Sequence, residues 1–257
     1  MKKTELINYL NSYLNLDINW WDSSQNWLQV DTSKKEINKI GYAVDATTYI
    51  IDKALEANVD MIIVHHWIFR NKNENLVWIQ YERIKKLFNK NIWLYACHLP
   101  LDAHKHVWNN VMTLKKMCQF LWVKNFKILD YFSIEWNNIW WKIIFEQTIK
   151  IEDIIVGLQN VWRNTYLYNF WNKKEIRSIW LVTWCWWSIL KKMDKVWYVD
   201  LFLTWEALHD SITFAKENKQ SFVVWWHYET EIIWVQTLSE FLHKKYWIKT
   251  VFLDEKY

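Results

Sequence analysis

Glycine is nearly missing from this chain. Its 257 residues include 2 glycines and 23 tryptophans, whereas average usage of about 7% would give roughly 18 glycines. Pooled, the two types make up about a tenth of the chain, as glycine and a few genuine tryptophans would in an ordinary protein. Long apolar runs are missing too. None approaches the roughly 18 uninterrupted residues a membrane-crossing helix needs, which excludes such a helix. The start, MKKTELINYLNSYLNL, breaks its apolar pattern at Glu5, Asn8 and Asn11, so it reads as an amphipathic helix and not as a secretory leader. Cysteines are few and lack metal-type spacing: Cys97, Cys118 and Cys185 fit a reducing, cytoplasmic setting. No basic block stands out, since 32 Lys and Arg against 28 Asp and Glu leave a net charge of +4. That argues against strong nucleic-acid binding.

What is present is globular. The hydrophobic fraction is 52% and the charged fraction 23%, outside the range of disordered chains. The richness in Lys, Asn and Ile suggests an AT-rich gene. In such a gene UGA would be a favoured codon, and UGA encodes tryptophan in some genetic codes and glycine in a few others. Most of these tryptophans are therefore expected to stand where the fold requires glycine.

Short apolar runs alternate with helical patterns. IGYAV (40–44), MIIVHH (61–66) and IWLYACH (92–98) predict buried strands, with helices over 47–58 and 79–90. The second half repeats the rhythm with IWLVT (179–183), LFLTW (201–205) and SFVVWWH (221–227), and with helices around 187–196 and 207–219. VDMIIVHH (59–66) aligns with VDLFLTWE (199–206), and NKNIWLYACHLPLD (89–102) with NKQSFVVWWHYETE (218–231). The expectation is an α/β protein of two duplicated subdomains. The first spans 1–125, a connecting segment with an added strand or hairpin near 139–149 spans 126–170, and the second spans 171–257.

Strand ends are where α/β folds place their sites. Here they carry His65 and His66, then His98 with Asp102, then His227 with Glu231. Imidazoles and carboxylates suit Zn, Fe, Mn or Co. Adjacent histidines on an extended strand point to opposite faces. If the strand turns at that point, each can serve a metal ion, and such a group could hold two metals with one carboxylate bridging. His209 follows Glu206 and could line the same site, whereas His104, His106 and His243 sit among Lys and Asn and are expected to be solvated.

With these motifs in view the chain resembles the GTP cyclohydrolase type 2 homologues, the Nif-three-like dinuclear metal centre proteins. The resemblance rests on NWLQV (26–30), HHWIF (65–69), HLPLDAH (98–104) with WNN (108–110), and WHYETE (226–231), and it covers almost the whole chain. Its departures are nearly all of one kind. Trp27, Trp67, Trp108, Trp205 and Trp226 stand where that family has glycine, and TWCWWS (183–188) stands where a glycine-rich turn is expected. Such a turn could bind an anion at a helix N-terminus or simply be tight.

The resemblance implies two divalent metals held by His65, His66, Asp102, His227 and Glu231. In it Glu231 bridges them, His98 lies beside the site and orients a ligand or substrate, and the site occupies the cleft between the subdomains. It also implies a homohexamer, a trimer of dimers. The implied activity is hydrolysis of a nucleotide-like small molecule by a metal-bridged hydroxide, with Glu231 and the metal-bound water at the reacting centre. The alternative is a non-enzymatic metal-handling or regulatory adaptor protein.

Overall fold

The structure, a computed structural model, describes residues 1–16, 24–69, 75–102, 104, 109–134, 137–161, 165–182, 199–225 and 227–255. In chain order it runs α1 (Lys3–Tyr13), β1 (Trp27–Val30), β2 (Lys39–Ala43), α2 (Thr48–Glu56), β3 (Met61–Val64), α3 (Trp78–Asn89), β4 (Trp93–Ala96) and a short α4 (Leu99–Asp102). Next come α5 (Asn109–Phe120), a hairpin of β5 (Phe126–Ile134) and β6 (Asn137–Lys150), α6 (Ile151–Val161), β7 (Thr165–Tyr168) and β8 (Glu175–Val182). The chain closes with β9 (Leu201–Thr204), α7 (His209–Glu217), β10 (Phe222–Trp225), α8 (His227–Tyr246) and β11 (Lys249–Phe252). The helix expected around 187–196 lies outside the described residues. Among the described residues, no helix is long and apolar enough to cross a membrane.

The chain forms two compact units, Met1–Val107 with Glu231–Tyr257, and Trp108–Thr230. The first contains a five-stranded sheet in the order β1-β4-β3-β2-β11. Strands β4, β3, β2 and β11 run parallel, and β1 is antiparallel at the edge. Every residue of β3 and β4 is buried, as continuous apolar runs in a helix-covered parallel sheet should be. One core joins Ala43, Ile62, Val64 and Leu94 to Ile50, Ile51 and Ala54 of α2 and to Ile84 and Leu87 of α3. Thr47 caps α2 by accepting the amide of Ile50, a typical start signal.

The second unit contains a six-stranded sheet in the order β5-β6-β8-β9-β10-β7, with β8, β9 and β10 parallel. Two features differ from the division expected from sequence. The segment 126–170 is not a separate connection, because β6 pairs with β8 and β7 with β10. The last residues group with the first unit, because β11 pairs in parallel with β2. All three pairings are long-range and leave no local mark on the chain.

One hydrogen-bonding device occurs in both units. Asp60, just before β3, accepts the backbone amides of Asn38 and Lys39 at 2.7 and 2.9 Å and pairs with Lys34. Asp200, just before β9, accepts the amides of Arg177 and Ser178 at 2.7 and 2.8 Å and pairs with Lys173. Each carboxylate thus ties its strand to the neighbouring one, at the start of β2 and within β8. Burial alone would raise the pKa of each. The lysine and the two amides outweigh it and hold both groups below the usual carboxylate value of 3.8.

A depressed folded-state pKa contributes stability above the unfolded value and loses it as pH falls through the folded value. Asp60→Ala and Asp200→Ala should each cost about 2 kcal/mol or more, on the scale of hydrogen bonds to charged groups, in denaturant unfolding at pH 7. That deficit should shrink as the pH drops below 3.8. An unchanged midpoint at pH 7 would contradict the assigned role.

Candidate metal centre

The site in the first unit starts where β3 and β4 end. The amides of His65 and His66 both donate to the Val44 carbonyl, at 3.0 and 2.9 Å. The strand therefore stops and turns, and the two rings do not diverge to opposite faces. Their centroids lie 4.7 Å apart. His98 follows β4, and its amide is held by Asn26 Oδ1 at 2.6 Å. Its ring lies 4.7 Å from that of His65. Ligand atoms offered by His65, His66 and His98 all lie within 4.8 Å of one another.

Glu231 comes from α8, one helical turn after His227, so the two project along the same helix face. Glu231 is buried, with its side chain 1% exposed. Its Oε1 lies 3.4 Å from His65 Nε2 and 3.5 Å from His66 Nε2. These separations are long for hydrogen bonds. They match the roughly 3.3–3.5 Å between two ligand atoms on one tetrahedral ion with metal–ligand bonds of about 2.0–2.1 Å.

The opposite edge of each ring is held by an acceptor. His65 Nδ1 lies 3.0 Å from the Cys97 carbonyl, which can only accept, so Nδ1 carries the proton. His66 Nδ1 lies 2.9 Å from Asp45 Oδ1. The Nε2 lone pair of each ring is thereby aimed at Glu231, the arrangement that metal-ligating histidines adopt. In the second unit, His227 Nδ1 meets Glu206 Oε1 at 2.8 Å in the same manner. The donor set of imidazoles and a carboxylate fits a divalent metal; His65 and Glu231 are buried, whereas the His66 side chain is 25% exposed.

Apolar walls surround the donors. Trp234, one turn beyond Glu231, packs edge-on against His65 with centroids 3.9 Å apart. Trp67 stands 4.9 Å from His98, and its buried indole nitrogen has no hydrogen-bond partner among the described residues. A cavity of about 280 Å³ is lined by Asp45, His66, Trp67 and His98. The early NWLQV motif serves these loops. Besides Asn26, Gln29 Oε1 accepts the amide of Ile68 at 2.8 Å, and Gln80 donates to the Ile68 carbonyl.

Of the residues singled out in the sequence, the first unit brings together His65, His66, His98 and Glu231. Asp102 lies on α4, and its side chain is outside the described part. His227 opens α8 beside Glu206 and Trp205. His209 is exposed at the start of α7. His243 is exposed as expected, but His104 is not solvated: it is 8% exposed and packs against Tyr13 with centroids 4.3 Å apart. Its polar neighbours in sequence concealed an aromatic neighbour distant in the chain. Cys97 is buried, whereas His106, Cys185, Trp108 and Trp226 lie outside the described residues. Sequence reasoning missed Asp45 and Glu206. Their one signal was position, at the ends of strands neighbouring those that carry the histidines.

Residues 1–256 match the family model described as Duf34/NIF3 (NGG1p interacting factor 3). A protein of Pyrococcus horikoshii named "GTP cyclohydrolase 1 type 2 homolog" is 32% identical over 257 residues, 99% of this chain and 98% of its own. The crystal structure of TTHA1606 from Thermus thermophilus is similar with a TM-score of 0.83 and 30% identity, covering 100% of this chain and 99% of that one. Reduced HcgD from Methanocaldococcus jannaschii shares the fold, with a TM-score of 0.81 at 23% identity and coverage of 99% and 98%. With both its fold and its strand-end residues accounted for, the chain belongs to the Duf34/NIF3 family.

Proposed function

We propose that this protein holds two divalent metal ions through His65, His66, Asp102, His227 and Glu231, and that it is a hydrolase of a nucleotide-like small molecule. The observation that carries the metal reading is the convergence of His65 Nε2 and His66 Nε2 on one buried carboxylate oxygen at 3.4 and 3.5 Å. His227 is included because it lies one turn before Glu231 on α8, and Asp102 because it follows His98 at the motif spacing. Glu231 is the bridging ligand in this reading. When bound, the pair of ions supplies Lewis acidity suited to hydrolysis, and Zn, Fe, Mn and Co all suit the donors.

The chain's own residues do the rest. Asp45 and the Cys97 carbonyl orient the rings, Trp234 and Trp67 exclude water from one side, and His98 faces the cavity where a substrate group would sit. The names of the curated relatives support a nucleotide-like substrate. The family resemblance extends the proposal to a cytoplasmic homohexamer, a trimer of dimers. A second reading, a non-enzymatic metal-handling or adaptor protein, is favoured by one observation: the cavity of about 280 Å³ is at the lower edge for small-molecule pockets.

Turnover of a nucleotide panel by protein loaded with each metal tests the proposal. Hydrolysis that is lost in Glu231→Ala, with circular dichroism unchanged, is the expected result. Absent turnover alongside tight, exchangeable metal would overturn the hydrolase and favour the second reading. Chelation gives a separate check, because ions that bind only the folded state stabilise it by about 2.7 kcal/mol at a hundredfold excess over Kd. The melting temperature should fall by several degrees on metal removal and recover on reloading, with Glu231→Ala insensitive to both.

A further inference from the structure

We infer that Asp45 and Glu206 are positioning residues that set the ring tautomer of His66 and His227. This rests on the metal-site reading above. The construction occurs once in each unit. A carboxylate just past the end of one parallel strand reaches the Nδ1 of a histidine just past the end of the next. Asp45 follows β2 and serves His66 after β3, at 2.9 Å. Glu206 follows β9 and serves His227 after β10, at 2.8 Å.

The pairs are not copies of one ancestral pair, because the internal alignment places Glu206 opposite His66. The two halves reach the same arrangement one strand apart. An ionised carboxylate accepts only, so it fixes the proton on Nδ1 and makes Nε2 the ring's acceptor atom. A nearby carboxylate also makes the imidazole a stronger donor to metal. Asp45 lines the cavity beside the His66 ring that it holds, so the pair sits at the edge of the site and not in the core.

Cobalt(II) titration of the intact protein, with ¹⁵N NMR of the histidine side chains, tests the role. Asp45→Ala should weaken cobalt binding about 10- to 100-fold and shift the His66 nitrogens away from the Nδ1–H pattern in the metal-free protein. Asp45→Asn, whose amide oxygen still accepts, should restore the tautomer and part of the affinity. Unchanged affinity and tautomer in Asp45→Ala, with binding abolished in Glu231→Ala, would overturn the positioning role alone. No cobalt binding by the unsubstituted protein would overturn the metal reading and this role with it.

A separate set of observations, in the backbone, carries a second inference: we propose that the natural protein has glycine at Trp122, Trp180 and Trp247. Among the described residues neither glycine has a positive φ, whereas Trp27, Trp78, Trp122 and Trp247 do, at 134°, 47°, 54° and 57°. Trp122 and Trp247 occupy the left-handed position that ends a helix. Trp122 follows α5, where Val123 N donates to Cys118 O at 3.0 Å, and Trp247 follows α8, donating to His243 O at 2.8 Å. Glycine is the usual residue there and Asn the usual substitute. After α1, α2 and α3 the same position is held by Asn15, Asn58 and Asn91, and after α7 by Lys219. The indoles of Trp122 and Trp247 are 88% and 83% exposed, so burial gives little in return for the strain.

Trp180 has a different argument. The matching amide contacts of Asp60 and Asp200 equate Lys39 with Ser178, and hence Gly41 with Trp180. The position in β2 where a Cβ would stand 2.7 Å from Leu253 thus carries, in β8, the largest of side chains. Reading UGA as tryptophan where the source reads glycine accounts for all three. Peptide mass spectrometry of the protein isolated from its source should find glycine at these positions and an intact mass below 32.0 kDa; tryptophan there overturns the inference. In recombinant protein carrying the tryptophans, Trp122→Gly with Trp247→Gly should raise the melting temperature, and a fall would contradict the backbone argument.

Discussion

Everything around the candidate site follows from one buried carboxylate. Glu231 is taken out of water and set against the Nε2 edges of His65 and His66. An ionised carboxylate in such a place costs many kcal/mol unless a cation or strong hydrogen bonds compensate it. The imidazoles of His65 and His66, whose Nδ1 edges are committed to Cys97 and Asp45, turn their Nε2 edges to it. The divalent cations proposed above would lie between them and compensate the carboxylate. The surrounding construction is then intelligible as support: β3 ends abruptly on a shared carbonyl, Asn26 fixes the start of α4 through the His98 amide, and Trp234 closes the face of His65.

The two units use one scaffold for different purposes. Asp60 and Asp200 tie neighbouring strands in the same manner, and this part of the duplication is structural. The strand ends have diverged. His65 and His66 are matched in the repeat by Trp205 and Glu206, while His98 is matched by His227. The corresponding strand ends of the two halves thus carry unlike donors. A mixed set of imidazoles and carboxylates suits a divalent-metal centre.

Much of this was legible in the chain. The runs MIIV and WLYA are apolar throughout because both faces of β3 and β4 are covered, and that pattern needs no partner to be recognised. The histidines were visible because each closes such a run. The stretch 139–149 was visible as an added element, but its hairpin partner β5 and its membership of the second sheet were not, since pairing of β6 with β5 and β8 depends on register between separate segments of the chain. The return of β11 to β2 was hidden for the same reason. Asp45 escaped notice because an aspartate before a helix reads as an ordinary turn residue, and its meaning appears only when β2 and β3 lie side by side. His104 misled for the opposite reason: its neighbours in sequence are polar, while its neighbour in space is Tyr13. The tryptophans were anomalous by their number and, at Trp27, Trp67, Trp108, Trp205 and Trp226, by their place in the motifs, and the backbone adds Trp122 and Trp247.

The most direct test of the central claim is anomalous X-ray diffraction from crystals of the metal-loaded protein, recorded on both sides of the metal absorption edge. The account predicts two peaks beside Glu231, with His65 Nε2, His66 Nε2 and the Glu231 carboxylate at bonding distance of about 2.0–2.2 Å. The absence of any peak there, with ordered side chains and metal present elsewhere in the crystal, would contradict it.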